Sequence, residues 1–143
     1  MGILAKLFGP SEPKLMPVHV DDSNFEAEVF RSELPVLLDV WGPDCAPCRQ
    51  LESVVVRLAN TYRGRVKVAE LNAAASPRVV QRLGVRGTPT VIYYRGRVEV
   101  ARVVGFRGDL YHRDLIDNEL LVDEAAGKAR DGAARKDGRD RAE

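Results

Sequence analysis

In Pro35-Val-Leu-Leu-Asp-Val-Trp41-Gly-Pro-Asp-Cys45-Ala-Pro-Cys48, a short apolar run leads directly into the only two cysteines of the sequence. The run from 35 to 41 is too short for a helix and is closed by Gly42-Pro43, which predicts a strand buried on both faces. Apolar residues recur at helical spacing after Cys45, so a helix is expected to begin there. Both cysteines are therefore predicted at the N-terminus of one helix.

Two thiols at the start of a helix can do redox chemistry. The free backbone N–H groups and the helix dipole favour a thiolate at that position, and a neighbouring thiol can close a disulfide with it. The first interpretation is therefore a redox-active pair. A structural disulfide and half of a metal site are the alternatives. A metal would need further ligands, and the two histidines, His19 and His112, are remote from the pair in sequence.

The composition is that of a globular domain with a modest tail. The 143 residues are 45% hydrophobic and 30% charged, and 22 basic against 21 acidic residues leave a formal charge of +1. No basic run with interleaved aromatics points to nucleic acid. The longest apolar stretches, about five to six residues, are far below the roughly 20 that span a bilayer. The N-terminus fits neither an export signal nor a myristoylation site, so we expect a reducing cytoplasm and no firm membrane association.

The chain divides into an N-terminal extension (1–16), a folded domain (17–122) and a charged tail (123–143). The extension is expected to be mobile or lightly docked, although residues 3–8 have the spacing of a short amphipathic arm. The tail alternates charges with Ala and Gly and has no large apolar side chain. It cannot offset the entropy of ordering, so disorder is expected there.

The domain is predicted to alternate strands with helices and to end in a hairpin and a last helix. Its strands are expected at 18–20, 35–41, 66–71, 89–94 and 98–104. Its helices are expected after Asp21-Asp22-Ser23, from Cys45 to Gly64, from Ser76-Pro77 to Gly84 and from Asp109 to about Val122. The predicted apolar face of the last helix consists of Leu110, Leu115, Ile116 and Leu120. This order implies an α/β fold with a mixed central sheet and helices on both faces.

Four motifs in order resemble the thioredoxin family: Leu38-Asp39-Val40-Trp41, Cys45-Ala-Pro-Cys48-Arg49, Gly84-Val-Arg-Gly-Thr-Pro-Thr90 and a glycine at 105. The likeness runs in register from about Val18 to Leu121. A lone Cys-x-x-Cys would be weak support, whereas the ordered set is highly specific. The resemblance implies the thioredoxin fold and thiol–disulfide exchange on protein substrates, with no bound cofactor.

The resemblance also implies a division of chemical roles. Cys45 would attack a substrate disulfide, and Cys48 would resolve the mixed disulfide. Asp39 would be an internal aspartate that helps to move the proton of Cys48. A carboxylate inside an apolar strand is costly and normally has a raised pKa, which agrees with that role. An aspartate at a strand end that faces solvent is the alternative.

Other matched positions would form the surface that substrates meet. Thr88-Pro89 resembles the cis-proline loop that faces the dithiol, whose backbone could hydrogen-bond an extended substrate segment. A trans proline that leads a strand is the alternative. Gly105 would let a partner's backbone approach the same surface, although turn geometry would also explain it. Trp41 would pack under the active-site helix and position it.

Three residues depart from the family pattern. Asp44 stands where an aromatic residue is usual, Ala46 where glycine is usual, and Glu70 where lysine is usual. The negative charge of Asp44 offsets the stabilisation that the helix dipole gives to a thiolate. We therefore expect the Cys45 thiol to be less acidic than those of its relatives. Glu70 beside Asp39 would place two like charges in one dry region and raise at least one pKa, unless Glu70 faces solvent.

We therefore expect a monomeric, cytoplasmic protein-disulfide reductase with a reversible Cys45–Cys48 dithiol. Its partners would be disulfide-containing client proteins and an electron donor that resembles thioredoxin reductase, with no nucleic acid and no metal. The alternative is a thioredoxin-like adaptor that binds proteins with little or no turnover, which Asp44 and Glu70 support. A reductase tethered to a membrane by residues 3–8 is a third hypothesis.

Overall fold

A five-stranded sheet runs through the centre of the protein. The structure is a computed structural model that describes residues 12–123. The strands are β1 (Val18–Val20), β2 (Val36–Trp41), β3 (Lys67–Asn72), β4 (Thr90–Arg95) and β5 (Val98–Val104). They lie in the order β1-β3-β2-β4-β5; β1, β3 and β2 are mutually parallel, and the β2–β4 and β4–β5 pairs are antiparallel. The predicted mixed sheet is confirmed.

Four helical segments connect and cover the strands. They are α1 (Glu26–Phe30, a π-helical turn), α2 (Ala46–Thr61), α3 (Pro77–Leu83) and α4 (Asp109–Leu115), which continues as a π-helical turn over Ile116–Leu120. A short 3₁₀ turn at Ala73–Ala75 precedes α3. Proline at the first position of α3 and glycine immediately after its end are the signals from which the sequence predicts this helix.

The sheet is buried on both faces. All five residues of β2 from Val36 to Val40 are buried, as the uninterrupted apolar run predicts. Because side chains alternate along a strand, Leu37 and Asp39 face α2 and α4, whereas Leu38 and Val40 face α1 and α3. Helices therefore cover both faces, which confirms the predicted layers.

The last helix corrects one prediction. Leu110, expected on the apolar face, is 74% exposed, and His112 is buried in its place. Residues 110 and 112 are about 200° apart around a helix, so only one of them can face the sheet. The side chain of His112 forms a hydrogen bond with the hydroxyl of Tyr93 inside the core. Burial lowers the pKa of His112.

The residues that precede β1 run along the C-terminal half of α2. Leu15 and Asn60 exchange two hydrogen bonds, from the Leu15 N–H and to the Leu15 carbonyl, each of 2.9 Å. Arg63 pairs with Glu12 at 3.4 Å and donates to the Pro13 carbonyl. The arm predicted at 3–8 and the tail from 124 onward lie outside the described residues.

Candidate active site

Cys45 and Cys48 form a disulfide at the tip of α2, with their Cα atoms 5.2 Å apart. Cys45 is the N-cap of the helix, and the backbone N–H of Cys48 donates to the Cys45 sulfur over 3.3 Å. Cys48 is only 6% exposed, whereas Cys45 is half-buried. The more accessible sulfur thus also accepts the amide hydrogen bond. This arrangement favours a thiolate on Cys45 once the disulfide is reduced.

The loop before β4 faces this disulfide. The Thr88–Pro89 peptide bond is cis, as predicted. The Thr88 carbonyl oxygen lies 3.6 Å from the Cys45 sulfur. The Gly105 N–H donates to the Pro89 carbonyl over 2.8 Å, and Gly105 has a φ of 91° that glycine adopts readily. Thr88, Pro89 and Gly105 therefore lie together beside Cys45.

Gly42 allows the loop between β2 and α2 to approach the cis-proline loop closely. A Cβ atom at position 42 would lie 3.0 Å from the Thr88 hydroxyl oxygen, so any other residue there would require the Thr88 side chain to shift. In the sequence Gly42 is evident only as the end of a strand. Its role in packing depends on a loop that is more than 40 residues away.

Asp39 lies inside β2 and is 5% exposed, so it does not sit at a solvent-facing strand end. Its Oδ1 has no hydrogen-bond partner among residues 12–123. A cavity of about 460 Å³ adjoins it, whose lining includes Cys48, Glu52 and Glu70. Burial raises the pKa of Asp39 to about 7, and the like charges of Glu70 and Glu52 act in the same direction.

Glu70 links the active-site region to the edge of the sheet. It is the register neighbour of Asp39 on β2 and of His19 on β1. The Trp41 indole N–H donates to one carboxylate oxygen of Glu70 over 2.5 Å, and Nδ1 of His19 lies 2.7 Å from the other. The hydrogen bond with Glu70 raises the pKa of His19. Glu70 is thus anchored on both sides, with its side chain 23% exposed.

Sequence reasoning missed His19 and Glu52 as members of this region. His19 comes to Glu70 because β1 pairs with β3, which the sequence of β1 does not indicate. Glu52 lies one helical turn after Cys48, and this spacing could have placed it near the dithiol. Asp44, which departs from the family pattern, is exposed and has a left-handed φ of 53°.

The disulfide therefore lies at a helix N-terminus, faces the cis-proline loop and shares a cavity with the buried carboxyl group of Asp39. Its accessible sulfur can exchange with an external disulfide, and its buried sulfur can complete the exchange. Asp39, Trp41, Cys48 and Glu70 line one cavity, and Thr88, Pro89 and Gly105 lie beside Cys45. The roles assigned to these residues from the sequence stay predictions.

Known proteins are similar to this chain in sequence. The thioredoxin family model matches residues 16–117. Thioredoxin 1 of Nostoc sp. is 42% identical over 86 residues, which cover 60% of this chain and 80% of the relative. The thioredoxin of Thiocapsa roseopersicina is 45% identical over 78 residues (54% and 86%), and the chloroplastic M-type thioredoxin of Pisum sativum is 37% identical over 86 residues (60% and 50%). This chain belongs to the thioredoxin family and is a thiol–disulfide oxidoreductase.

Within residues 12–123, no group of three or more His, Cys, Asp or Glu side chains is placed to hold a metal ion. The two cysteines, which could have formed half of such a site, are bonded to each other. Over the same residues, no helix is long and apolar enough to cross a bilayer.

Proposed function

We propose that this protein reduces disulfide bonds in client proteins. The Cys45 thiolate attacks one sulfur of the client disulfide, which forms a mixed disulfide and releases one client thiolate. Cys48 then attacks the Cys45 sulfur, and the second client thiolate leaves as the Cys45–Cys48 disulfide closes. Two electrons pass from the dithiol to the client. The observation that carries this proposal is the accessible Cys45 sulfur, which accepts the Cys48 amide and faces the cis-proline loop.

Asp39 is proposed to accept the proton that Cys48 must lose before it attacks. The cavity lined by both residues provides space for a water molecule between them. A carboxyl group with a pKa of about 7 can accept a proton and release it again near neutral pH. Asp39 therefore acts as the proton carrier of the second exchange step.

Clients are proposed to bind across the cis-proline loop. The backbone at Thr88-Pro89 would pair with an extended client segment. Gly105 leaves open space beside it, since no residue of 12–123 other than its chain neighbours would come within 4 Å of a Cβ atom at this position. Trp41 positions the site through its hydrogen bond to Glu70. An electron donor resembling thioredoxin reductase would return the protein to the dithiol form. We propose that it works as a monomer in the cytoplasm.

Reduction of insulin in the presence of dithiothreitol tests this function. The full chain should accelerate the precipitation of reduced insulin well above the uncatalysed rate. The same protein alkylated with N-ethylmaleimide after reduction serves as the blocked control. A rate no higher than that of the control would favour an adaptor with little turnover. The equilibrium of the Cys45–Cys48 couple with glutathione then gives the direction of exchange.

Asp44 is proposed to make the Cys45 thiol less acidic. Asparagine accepts a left-handed backbone as readily as aspartate, so Asp44→Asn removes the charge without strain. A unit charge about 4 Å away contributes ~1 kcal/mol in water, and ~1.4 kcal/mol corresponds to one pH unit. We expect the pKa of the Cys45 thiol to fall by about 0.7 pH unit in the variant. Ultraviolet absorbance of the thiolate during titration measures it.

The exposed carboxylate of Asp114 on α4 supplies the control for that titration. Asp114→Asn makes the same chemical change and should leave the Cys45 thiol unaltered. Raising the salt concentration should reduce the Asp44 effect, because exposed charges are screened. A Cys45 pKa that is unchanged or higher in Asp44→Asn rejects the proposal.

Glu70 is proposed to raise the pKa of Asp39, the proton carrier. Glu70→Gln retains an oxygen for the Trp41 indole N–H and removes the like charge next to Asp39. Neighbouring strands are only about 4.8 Å apart, so the pKa of Asp39 should fall by on the order of 1 pH unit. Carbon NMR titration of the Asp39 carboxyl group measures this directly. The pH–rate profile of mixed-disulfide resolution should move to lower pH.

Two further variants test whether the effect on Asp39 is specific to the charge of Glu70. Glu33→Gln changes an exposed carboxylate and should move neither the Asp39 titration nor the profile. His19→Gln removes the imidazole whose protonated form pairs with Glu70, so it should shift the Asp39 titration in the opposite direction. Identical pH–rate profiles for the parent protein and Glu70→Gln would exclude Glu70 from the mechanism.

A further inference from the structure

The residues just before β1 close one side of the cavity beside Asp39. Met16 and Pro17 belong to the lining of this cavity of about 460 Å³. Met16 also lines a second cavity of about 640 Å³, most of whose other lining residues come from α2. The residues common to both linings are Met16, Arg49, Glu52 and Val56. Met16, which is 56% exposed, therefore has the cavity of Asp39 on one side and solvent on the other.

The chain is held on both sides of Met16. On one side, the side-chain amide of Asn60 accepts from the Leu15 N–H and donates to the Leu15 carbonyl, each over 2.9 Å. Asn60 also donates to the Val56 carbonyl over 2.7 Å, which fixes the amide to α2. On the other side, the chain enters β1, which pairs with β3 from Val18 onward. Met16 and Pro17 therefore span the edge of the cavity between two fixed points.

These two residues act on the cavity through the exclusion of water and not through charge. Among residues 12–123, the charged side chains that line the cavity with Asp39 are Asp44, Arg49, Glu52 and Glu70. Met16 and Pro17 add no charge to it. Removal of water from a carboxyl group disfavours its ionised form, and burial is the largest cause of the raised pKa of Asp39. A wall of uncharged residues therefore favours a carboxyl group that exchanges its proton near neutral pH.

We propose that Asn60 is a positioning residue that holds residues 12–17 against α2, so that Met16 and Pro17 keep bulk water away from Asp39. The inference rests on the proposed function, in which Asp39 carries the proton of the resolving thiol. Asn60 suits this role because both polar atoms of its side chain make two hydrogen bonds. Its Oδ1 accepts from Leu15 and, over 3.1 Å, from Arg63, and its Nδ2 donates to two carbonyl groups. The amide cannot rotate without losing these bonds.

Asn60→Ala should lower the pKa of Asp39. Alanine removes both bonds to Leu15 and is favourable in a helix, so the segment should leave α2 more often and admit water. We expect the pKa of Asp39 to fall by about 0.5 to 1 pH unit. Carbon NMR titration of the oxidised full chain, in which no cysteine thiol titrates, measures this shift. The midpoint of the pH–rate profile of mixed-disulfide resolution should fall by the same amount.

Amide hydrogen exchange at Leu15 shows whether the segment has been released. The Leu15 N–H loses its acceptor in Asn60→Ala, so it should exchange about 5-fold faster. The exposed Asn118 on the last helical turn supplies the control. Asn118→Ala makes the same chemical change and should alter neither the exchange at Leu15 nor the titration of Asp39.

Met16 offers a second and independent pair of variants. Met16→Ala thins the wall and leaves the bonds between Asn60 and Leu15 in place, so it should also lower the pKa of Asp39. Met16→Leu keeps the apolar volume and should leave the titration at the parent value. Neither substitution changes a charge, so a shift in Met16→Ala reports on water and packing at the cavity.

Several outcomes would overturn the proposal. They are an unchanged exchange rate at Leu15 in Asn60→Ala, an unchanged Asp39 titration when that rate rises, and shifts of equal size in Asn118→Ala or Met16→Leu. A shifted titration with an unmoved pH–rate profile would support the wall and reject Asp39 as the proton carrier. Failure of the parent protein to reduce insulin would reject the proposed function, whereas the titration would still decide whether the wall excludes water.

Discussion

Replacement of Cys48 by serine should trap the protein on its clients. Cys45 remains accessible and can still attack a disulfide, but a serine hydroxyl cannot attack the mixed disulfide that results. We expect insulin turnover to fall by more than about 100-fold, since the exchange stops after its first step. A covalent adduct through Cys45 should accumulate. Non-reducing electrophoresis and mass spectrometry of the adduct detect it.

Cys45→Ser is the matched variant, and the two serine substitutions should differ in whether a covalent adduct accumulates. It should lose turnover to a similar extent but accumulate no adduct. The reason is that the remaining sulfur, that of Cys48, is only 6% exposed behind the helix tip. If Cys45→Ser traps clients and Cys48→Ser does not, the assignment of nucleophile and resolving thiol is reversed.

We expect the parent protein to lose stability as the pH rises, and we expect Asp39→Asn to remove most of this loss. In the folded protein the pKa of Asp39 is raised from 3.8 to about 7, chiefly by burial. Between these values the folded state holds a proton that the unfolded state has lost, so the free energy of unfolding falls as pH rises through this window. About three pH units correspond to about 4 kcal/mol. Asparagine carries no charge, so at about pH 8 the variant should be more stable by up to that amount.

Urea unfolding of the oxidised protein at about pH 5 and about pH 8 measures the effect. The difference between Asp39→Asn and the parent protein should be clearly larger at the higher pH. Asp114→Asn removes an exposed carboxylate and should show no such growth. A difference that is the same at both pH values would mean that Asp39 does not titrate in this window. The variant should also resolve mixed disulfides about 10-fold more slowly, because its proton acceptor is gone.

Local patterns were sufficient to predict much of this fold. The apolar run of β2 is buried along its length, and the periodic residues of α2 pack where the sequence predicts them. Proline and glycine mark both ends of α3. The cis bond at Thr88-Pro89 was predicted only through the family resemblance, since an isolated proline before a strand fits a trans bond equally well.

The last helix shows where such patterns fail. Its sequence offers Leu110 as an apolar candidate, yet the helix is rotated so that His112 enters the core and Leu110 faces solvent. Hydrophobicity favours Leu110 inside, but Ile116 and Leu120 lie at four-residue intervals from His112 and together fix the buried stripe. The hydroxyl of Tyr93 then provides the polar partner that makes a buried imidazole acceptable.

The order of apolar runs, turn residues and cysteines was enough to establish an α/β domain with a dithiol at a helix tip, because these features depend on neighbours within a few residues. The order of the strands in the sheet places His19 next to Glu70 and Glu70 next to Asp39. The packing of two loops places Thr88 next to Cys45. Those contacts join residues that are 31 to 51 positions apart. They shape the electrostatics of the buried carboxyl group and the surface that clients meet, since charge and contact act through space and not along the chain.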